Sequence, residues 1–265
     1  MLGKRLGHDF HDVAVQAHWT NDDALFGEKG MLLALEKEPR AAHLVLLDKF
    51  NLTRPEYYMS RLFHAFDSGS GELSAGRHLP SCRIFGTLNI DESSRPPSPK
   101  IVDRCFLLEL SQVKHGTDSS TELPMLNDLP TLPGLPGLPD IVQTGVVADE
   151  RIEDVLGALH GAVLENDLRH DLLPSRRVLS DVRTMLDLHH RLDLQGRSLL
   201  DRSELVDRLI SSRILVKLSG AYDQLAPALK ALETVVARVE ELPRTQRRLK
   251  LARQQARLGF VSPWQ

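Results

Sequence analysis

The run His43-Leu-Val-Leu-Leu-Asp48 narrows the fold more than any other stretch of the chain. Its aliphatic residues are continuous and do not alternate with polar ones, so a strand here is covered on both faces, as in a parallel sheet flanked by helices. The acid that ends it stands where open α/β sheets bind their ligands, just beyond the carboxyl ends of the strands. Shorter β-type runs at 13–17, 83–89 and 106–110 alternate with helical patterns, and together they predict an α/β core. After Pro55, the residues Tyr58, Leu62, Phe63 and Phe66 recur at helical spacing, which predicts an amphipathic helix over 56–66 laid on that sheet.

The pattern changes at Gly116. From there to Asp140 the chain is rich in Ser, Thr, Pro and Gly and includes LPTLPGLPGLPD, where proline removes backbone donors and blocks helix. Such a stretch is a semi-extended linker or surface loop. Beyond it, apolar residues return at helical spacing over 149–164, 178–192, 199–218 and 222–242. In the last of these Leu225, Leu229, Leu232, Val235, Val236 and Val239 share one face, and Pro243 ends the run. The expected organisation is an α/β unit over 1–115, a linker over 116–140 and an all-helical unit over 141–265.

Charge and composition limit the partners. Thirty-three Lys and Arg against 36 Asp and Glu give a net charge of -3, so no global field draws the chain to nucleic acid or to an anionic membrane. Any DNA contact is local; the six basic residues between Arg244 and Arg257 suggest a solvated amphipathic helix, with phosphate contact as the alternative. No stretch approaches the roughly 20 apolar residues of a bilayer-spanning helix, and the first residues are charged, so a soluble, cytoplasmic protein is expected. Cys82 and Cys105 form no disulfide framework, which fits a reducing compartment. His8 with His11, and His189 with His190, have spacings that permit metal binding but no further ligands in a metal-site pattern, so exposed histidines are expected.

Three separated segments, in order, resemble the AAA+ motor of McrB-type restriction systems. HLVLLDKFNLTRPEYY, residues 43–58, resembles a Walker B strand followed by that family's Asn-Leu-x-Arg-x-Glu-Tyr-Tyr signature. GTLNIDESSRPPSPKIVDRCFLLEL, residues 86–110, is similar to the sensor-1 strand and the arginine-finger region. SRRVLSDV at 175–182, SSRILVKLSG at 211–220 and the terminal GFVSPWQ resemble the helical lid. HWTNDDALFG, residues 18–27, is similar to the segment ahead of Walker B. The resemblance implies a partial AAA+ P-loop NTPase core with a parallel sheet, followed by an all-helical lid. It implies Asp48 as the Walker B acid on the Mg²⁺ shell, Asn89 as the sensor that orients water, and Arg104 as the finger offered to a neighbouring subunit's ATP or GTP. Arg177 matches the lid arginine that senses nucleotide. Homo- or hetero-oligomeric rings, a McrC-like nuclease subunit and DNA reached through the assembly are the implied partners.

Two departures from that pattern bear on activity. No G-x-x-x-x-G-K-[ST] occurs in the chain, so the backbone cradle and lysine that hold phosphates are missing, and the resemblance implies truncation ahead of the Walker B strand. Lys49 stands where the family has its catalytic Glu, and a lysine, ordinarily protonated at neutral pH, is no general base and repels Mg²⁺. Glu56, within the signature that follows, is an acid that could compensate. The expectation is a nucleotide-dependent motor subunit that hydrolyses poorly alone; a non-catalytic subunit donating Arg104, or an inactive relic, are the alternatives. Outside the family pattern, Arg104 reads as a surface partner of Asp103 and Arg177 as a solvated helix start.

Overall fold

The computed structural model describes residues 9–27, 30, 43–68, 72–74, 77–78, 82–89, 96–108, 148–196, 198, 200–239 and 241–263. Among these, the residues up to Pro97 belong to one compact unit, and Ser98–Leu110 join the residues after 138 in a second. The Pro-rich linker and His8 lie outside the described residues.

The first unit is built on β2 (His43–Asp48), which pairs in parallel with β1 (Asp9–Ala14) on one side and β5 (Cys82–Gly86) on the other. Its central place explains the unbroken apolar run: Leu44, Val45 and Leu47 are all buried, and so is His43. Strand β1 begins four residues ahead of the apolar run at 13–17 and stops at Ala14. It pairs through its backbone with β2, which lets Asp9, His11 and Asp12 occupy strand positions, and Phe10 stays exposed. Helix α1 (Asp23–Phe26) buries Leu25 and Phe26. The helix expected over 56–66 is two pieces, α2 (Pro55–Tyr58) and α3 (Ser60–Ser68), and it buries Tyr58, Leu62 and Ala65. A two-stranded antiparallel ribbon, β3 (Glu72–Ser74) with β4 (Arg77–His78), precedes β5.

The second unit contains the short α4 (Pro99–Val102) and a helical bundle. Residues 106–108, expected as the start of a strand, form none; Phe106 instead lies beneath the Arg213 guanidinium, 4.6 Å from ring centroid to Cζ. The bundle consists of α5 (Glu150–Glu165), α6 (Arg176–Leu194), α7 (Arg202–Leu209), α8 (Tyr222–Val236) and α9 (Pro243–Gln255). Apolar stripes from these helices meet in one core: Leu159 of α5, Leu186 of α6, Val206 of α7, Leu232 of α8 and Leu249 of α9 are all buried there. Side-chain caps start three helices, from Asp149, Ser175 and Asp201. Asp207, on α7, is buried and accepts the N–H groups of Arg244 (2.8 Å) and Thr245 (2.9 Å), so it satisfies the first turn of α9 from outside that helix.

Two helices depart from the sequence periodicity. The stretch expected as one helix over 199–218 is α-helical only to Leu209, then π-helical over Ile210–Ile214, then one 3₁₀ turn over Leu215–Lys217. Helix α8 ends at Val236, six residues before the run does, and Val239 Nα bonds back to the Val236 carbonyl. The chain then turns so that Gln246 of α9 donates to the Val239 carbonyl. A ribbon of β6 (Gly220–Ala221) and β7 (Phe260–Val261) ties the end of the chain to the start of α8.

Asp149 anchors the start of α5. Its carboxylate accepts from Arg151 Nε at 3.0 Å and Arg202 Nε at 3.0 Å. Burial pushes this carboxyl up, but the hydrogen bonds and charges of Arg151 and Arg202 outweigh it and hold the group below the usual carboxylate range. A depressed native value places its stabilisation above the ordinary value of about 3.9, to be lost as pH falls through the native value. Asp149→Ala is therefore expected to cost about 1–2 kcal/mol in urea denaturation at pH 7, with the gap to wild type closing as pH falls through the depressed native value.

Candidate functional site

The sequence-predicted site residues fall into two groups, one in each unit. Asp48 and Asn89 belong to the first, at the carboxyl ends of β2 and β5. Arg104 and Arg177 belong to the second.

At the end of β2 the backbone turns sharply. Lys49 has φ 55°, the left-handed region that non-glycine residues seldom adopt. Thr87 fixes this turn: its Oγ1 accepts the Lys49 N–H at 2.8 Å and donates to Asp48 Oδ1 at 2.6 Å. The strand expected to continue to Asn89 ends at Gly86, because β2 has no further strand backbone to offer. Thr87 still donates its N–H to Leu47, and its carbonyl accepts from Phe50. Gly86 is needed where it stands, since a Cβ there would lie 2.8 Å from Phe50 Cγ. Two residues on, Asn51, buried at 3% exposure, brackets Asn89: its amide donates to the Asn89 carbonyl at 2.8 Å and its carbonyl oxygen accepts the Asn89 N–H at 3.3 Å. The Asn89 side chain is left exposed. The result is a polar corner where a carboxylate and a hydroxyl are in contact, with the exposed Asn89 two residues beyond Thr87.

The rest of the Asn-Leu-x-Arg-x-Glu-Tyr-Tyr stretch builds the wall behind this corner. The buried Tyr58 hydroxyl donates to the Phe50 carbonyl at 2.7 Å, its ring meets Trp19 edge-on, and Thr53 Oγ1 donates to the Trp19 carbonyl. Glu56 lies in the first turn of α2.

In the second unit the organising group is Arg213, only 1% exposed within the π-helical turn. Its guanidinium donates to the carbonyls of Val102 (3.0 Å), Asp103 (3.2 Å) and Cys105, and pairs with Asp181 of α6. Lys217, one turn on, pairs with Asp103 at 2.6 Å. The segment carrying Arg104 is thus held through its backbone by one arginine and through its preceding acid by one lysine. Asp103 faces Lys217 rather than Arg104, whose own guanidinium donates to the Lys100 carbonyl at 2.8 Å. Arg177 sits on the first turn of α6, and its charge, with those of Arg213 and Asp103, acts on Asp181. Burial pushes the Asp181 carboxyl up and the Arg213 guanidinium down, each opposed by the other's charge. Desolvation outweighs attraction in both, so the pair fixes geometry more than it stabilises the unit. Burial also raises the Cys105 thiol, against the charges of Arg213 and Arg104, so this free cysteine is a poor nucleophile.

The expected exposed histidines are partly engaged. His11 is half-buried, with Nε2 at 3.3 Å from His43 Nδ1 on the adjacent strand. His189 Nε2 lies 2.8 Å from the Leu200 carbonyl and 3.0 Å from Ser198 Oγ. Both histidines are held by strand pairing or a loop, contacts that pair spacing in the sequence does not reveal. Among the described residues no group of three or more His, Cys, Asp or Glu is placed to hold a metal ion. No described helix is long and apolar enough to cross a membrane.

Compared with known proteins, the chain matches no family model, no curated protein and no solved structure.

Two substitutions test these local accounts. Arg213→Ala leaves Asp181 and three carbonyls without their donor and is expected to lower unfolding free energy by about 3–5 kcal/mol in urea titration. At Lys49, glycine is expected to be tolerated, whereas Lys49→Val is expected to cost about 1–2 kcal/mol, because a β-branched side chain is ill suited to that φ.

Proposed function

We propose that this chain is a AAA+-type nucleotide-handling subunit of the McrB-like class, working in an oligomeric ring, unable to hydrolyse nucleotide alone and presenting Arg104 to a neighbouring subunit. One observation carries the reading: the acid ending the central parallel strand, Asp48, is bonded at 2.6 Å to Thr87 beside it, with Asn89 bracketed two residues further on. An acid and a polar sensor at adjacent strand ends are the parts that hold Mg²⁺ and orient water in phosphoryl transfer. A single carboxylate with a neighbouring hydroxyl suits Mg²⁺, which takes one or two carboxylates and leaves its other positions to water and phosphate oxygens. Asp48 would hold that ion's shell, and bound Mg²⁺ would neutralise charge on the phosphates of ATP or GTP.

The chain's own residues also argue against turnover in isolation. Lys49 occupies the base position, and its backbone, bonded to Thr87, carries the side chain out of the strand. No phosphate-cradling G-x-x-x-x-G-K-[ST] stands anywhere in the 265 residues. Arg104, on a segment held by Arg213 and Lys217, is the part still suited to chemistry, and a finger acts only across a subunit boundary. A McrC-like nuclease subunit, and DNA handled by the ring, are the partners that this reading carries with it.

Equilibrium dialysis of the purified chain with Mg²⁺ and labelled ATP or GTP at micromolar concentrations is expected to show no tight binding. Mixing with a hydrolysing subunit of the same class is expected to raise turnover, and Arg104→Ala in this chain to remove the gain, by up to about 10³-fold for a finger. Tight binding by the chain alone, abolished in Asp48→Ala, would overturn the incomplete-site reading. No effect on a hydrolysing subunit would overturn the finger.

A further inference from the structure

Charge in this chain is segregated. Six of its 33 basic residues lie between Arg244 and Arg257, and no Asp or Glu occurs from Pro243 to the end, which leaves 27 basic against 36 acidic residues in 1–242. The small net charge of -3 therefore hides an acidic body and a cationic tail.

Helix α9 turns that composition into a surface. Thr245, Leu249, Ala252 and Gln255 are buried, and Asp207 holds the start of the helix, so its rotation about its own axis is fixed. The opposite face carries Arg247, Lys250, Arg253 and Gln254, and Arg257 follows in the 3₁₀ turn Ala256–Leu258 that continues the helix, all exposed. Among the described residues Arg247, Lys250 and Arg257 have no ion-pair partner, and Arg253 meets Glu233 only at 3.6 Å with its side chain 73% exposed. Unpaired cations on a fixed helix repel one another, and a polyanion relieves that repulsion. From Arg247 to Arg257 the helix rises about 15 Å, a length over which one strand of a duplex carries about four phosphates.

We propose that this face of α9 is a binding surface for the phosphate backbone of nucleic acid. A bilayer fits it poorly, because the apolar side of the helix, which would have to enter the lipid, is already packed in the core of the unit. Phe260, three residues beyond Arg257 in the chain, is 50% exposed with its backbone held by the pairing of β7 with β6, and offers a ring on which an unpaired base stacks. The surface is independent of the nucleotide reading above: it requires neither Asp48 nor Arg104.

The test is fluorescence anisotropy of the full chain with a labelled duplex of about 30 base pairs, and with one of its strands, between about 50 and 200 mM salt. Four phosphate contacts predict a slope of log affinity against log salt of about -3 to -4, and a loss of about 10²-fold across that range. The triple variant Arg247→Gln, Lys250→Gln, Arg257→Gln is expected to bring the slope to about -1 and to weaken low-salt binding by at least tenfold. Neutralising Arg169, Arg183 and Lys230 instead is expected to change neither. All three substituted positions, two on α9 and one in the turn that follows it, are exposed, so an unchanged melting curve shows the variant folded. Binding to the single strand that also falls in Phe260→Ala assigns the ring to stacking. The proposal is overturned if the wild-type chain ignores both oligonucleotides at low salt, if the folded triple variant binds as tightly as wild type, or if the chain binds anionic vesicles in preference to either.

Discussion

A guanidinium buried among carbonyls sets the form of the helical unit. Arg213 cannot shed its charge, and burial removes its water, so its terminal N–H groups must find oxygens nearby, while Nε stays buried without a partner among the described residues. Val102, Asp103, Cys105 and Asp181 supply those oxygens, and Phe106 closes the face of the plane. To bring the side chain there, the backbone leaves α-helical geometry for a π turn over Ile210–Ile214. The same requirement draws Ser98–Leu110 into the helical unit, although the sequence pattern groups that stretch with the sheet. A lysine in place of Arg213 would keep the charge and lose the planar fork that reaches several acceptors at once.

The sheet unit rests on a different economy. Strand β2 buries its apolar run between two parallel neighbours, and its last residue is followed by a backbone in the left-handed region. Thr87 and Asn51 make that turn stable by bonding to groups the strand ladder no longer satisfies. The exposed polar corner is therefore a by-product of ending a buried strand correctly. Asp48 and Asn89 are positioned by two neutral side chains with no charge to mark them.

What the sequence makes legible follows from this. A continuous apolar run has one physical meaning, so β2 falls where the pattern puts it, at His43–Asp48. The helices capped by Asp149, Ser175 and Asp201 are equally plain, since their caps sit beside periodic apolar stripes. Phe106 to Leu108 misleads, because a short apolar stretch has no period to tell a strand from a segment packed against a cation. The π turn is hidden for a similar reason: Arg213 stands at a helical position that periodicity treats as polar surface. Asp48 and Asn89 are readable as strand-end polar residues, whereas Thr87 is not, because its role depends on pairing between strands nearly forty positions apart. Asn51 opens the Asn-Leu-x-Arg stretch and was the available signal for the bracket around Asn89.

The double hold on the segment around Arg104 has a mechanical consequence. Arg213 grips its backbone and Lys217 its acid, while Asp181, one helical turn beyond Arg177, closes the circuit from α6. Arg104 and Arg177 are thereby mounted on one stiff frame. Any displacement of that frame would carry both cations together, so the spacing between them is set by the packing around Arg213 and not by either side chain's own neighbours.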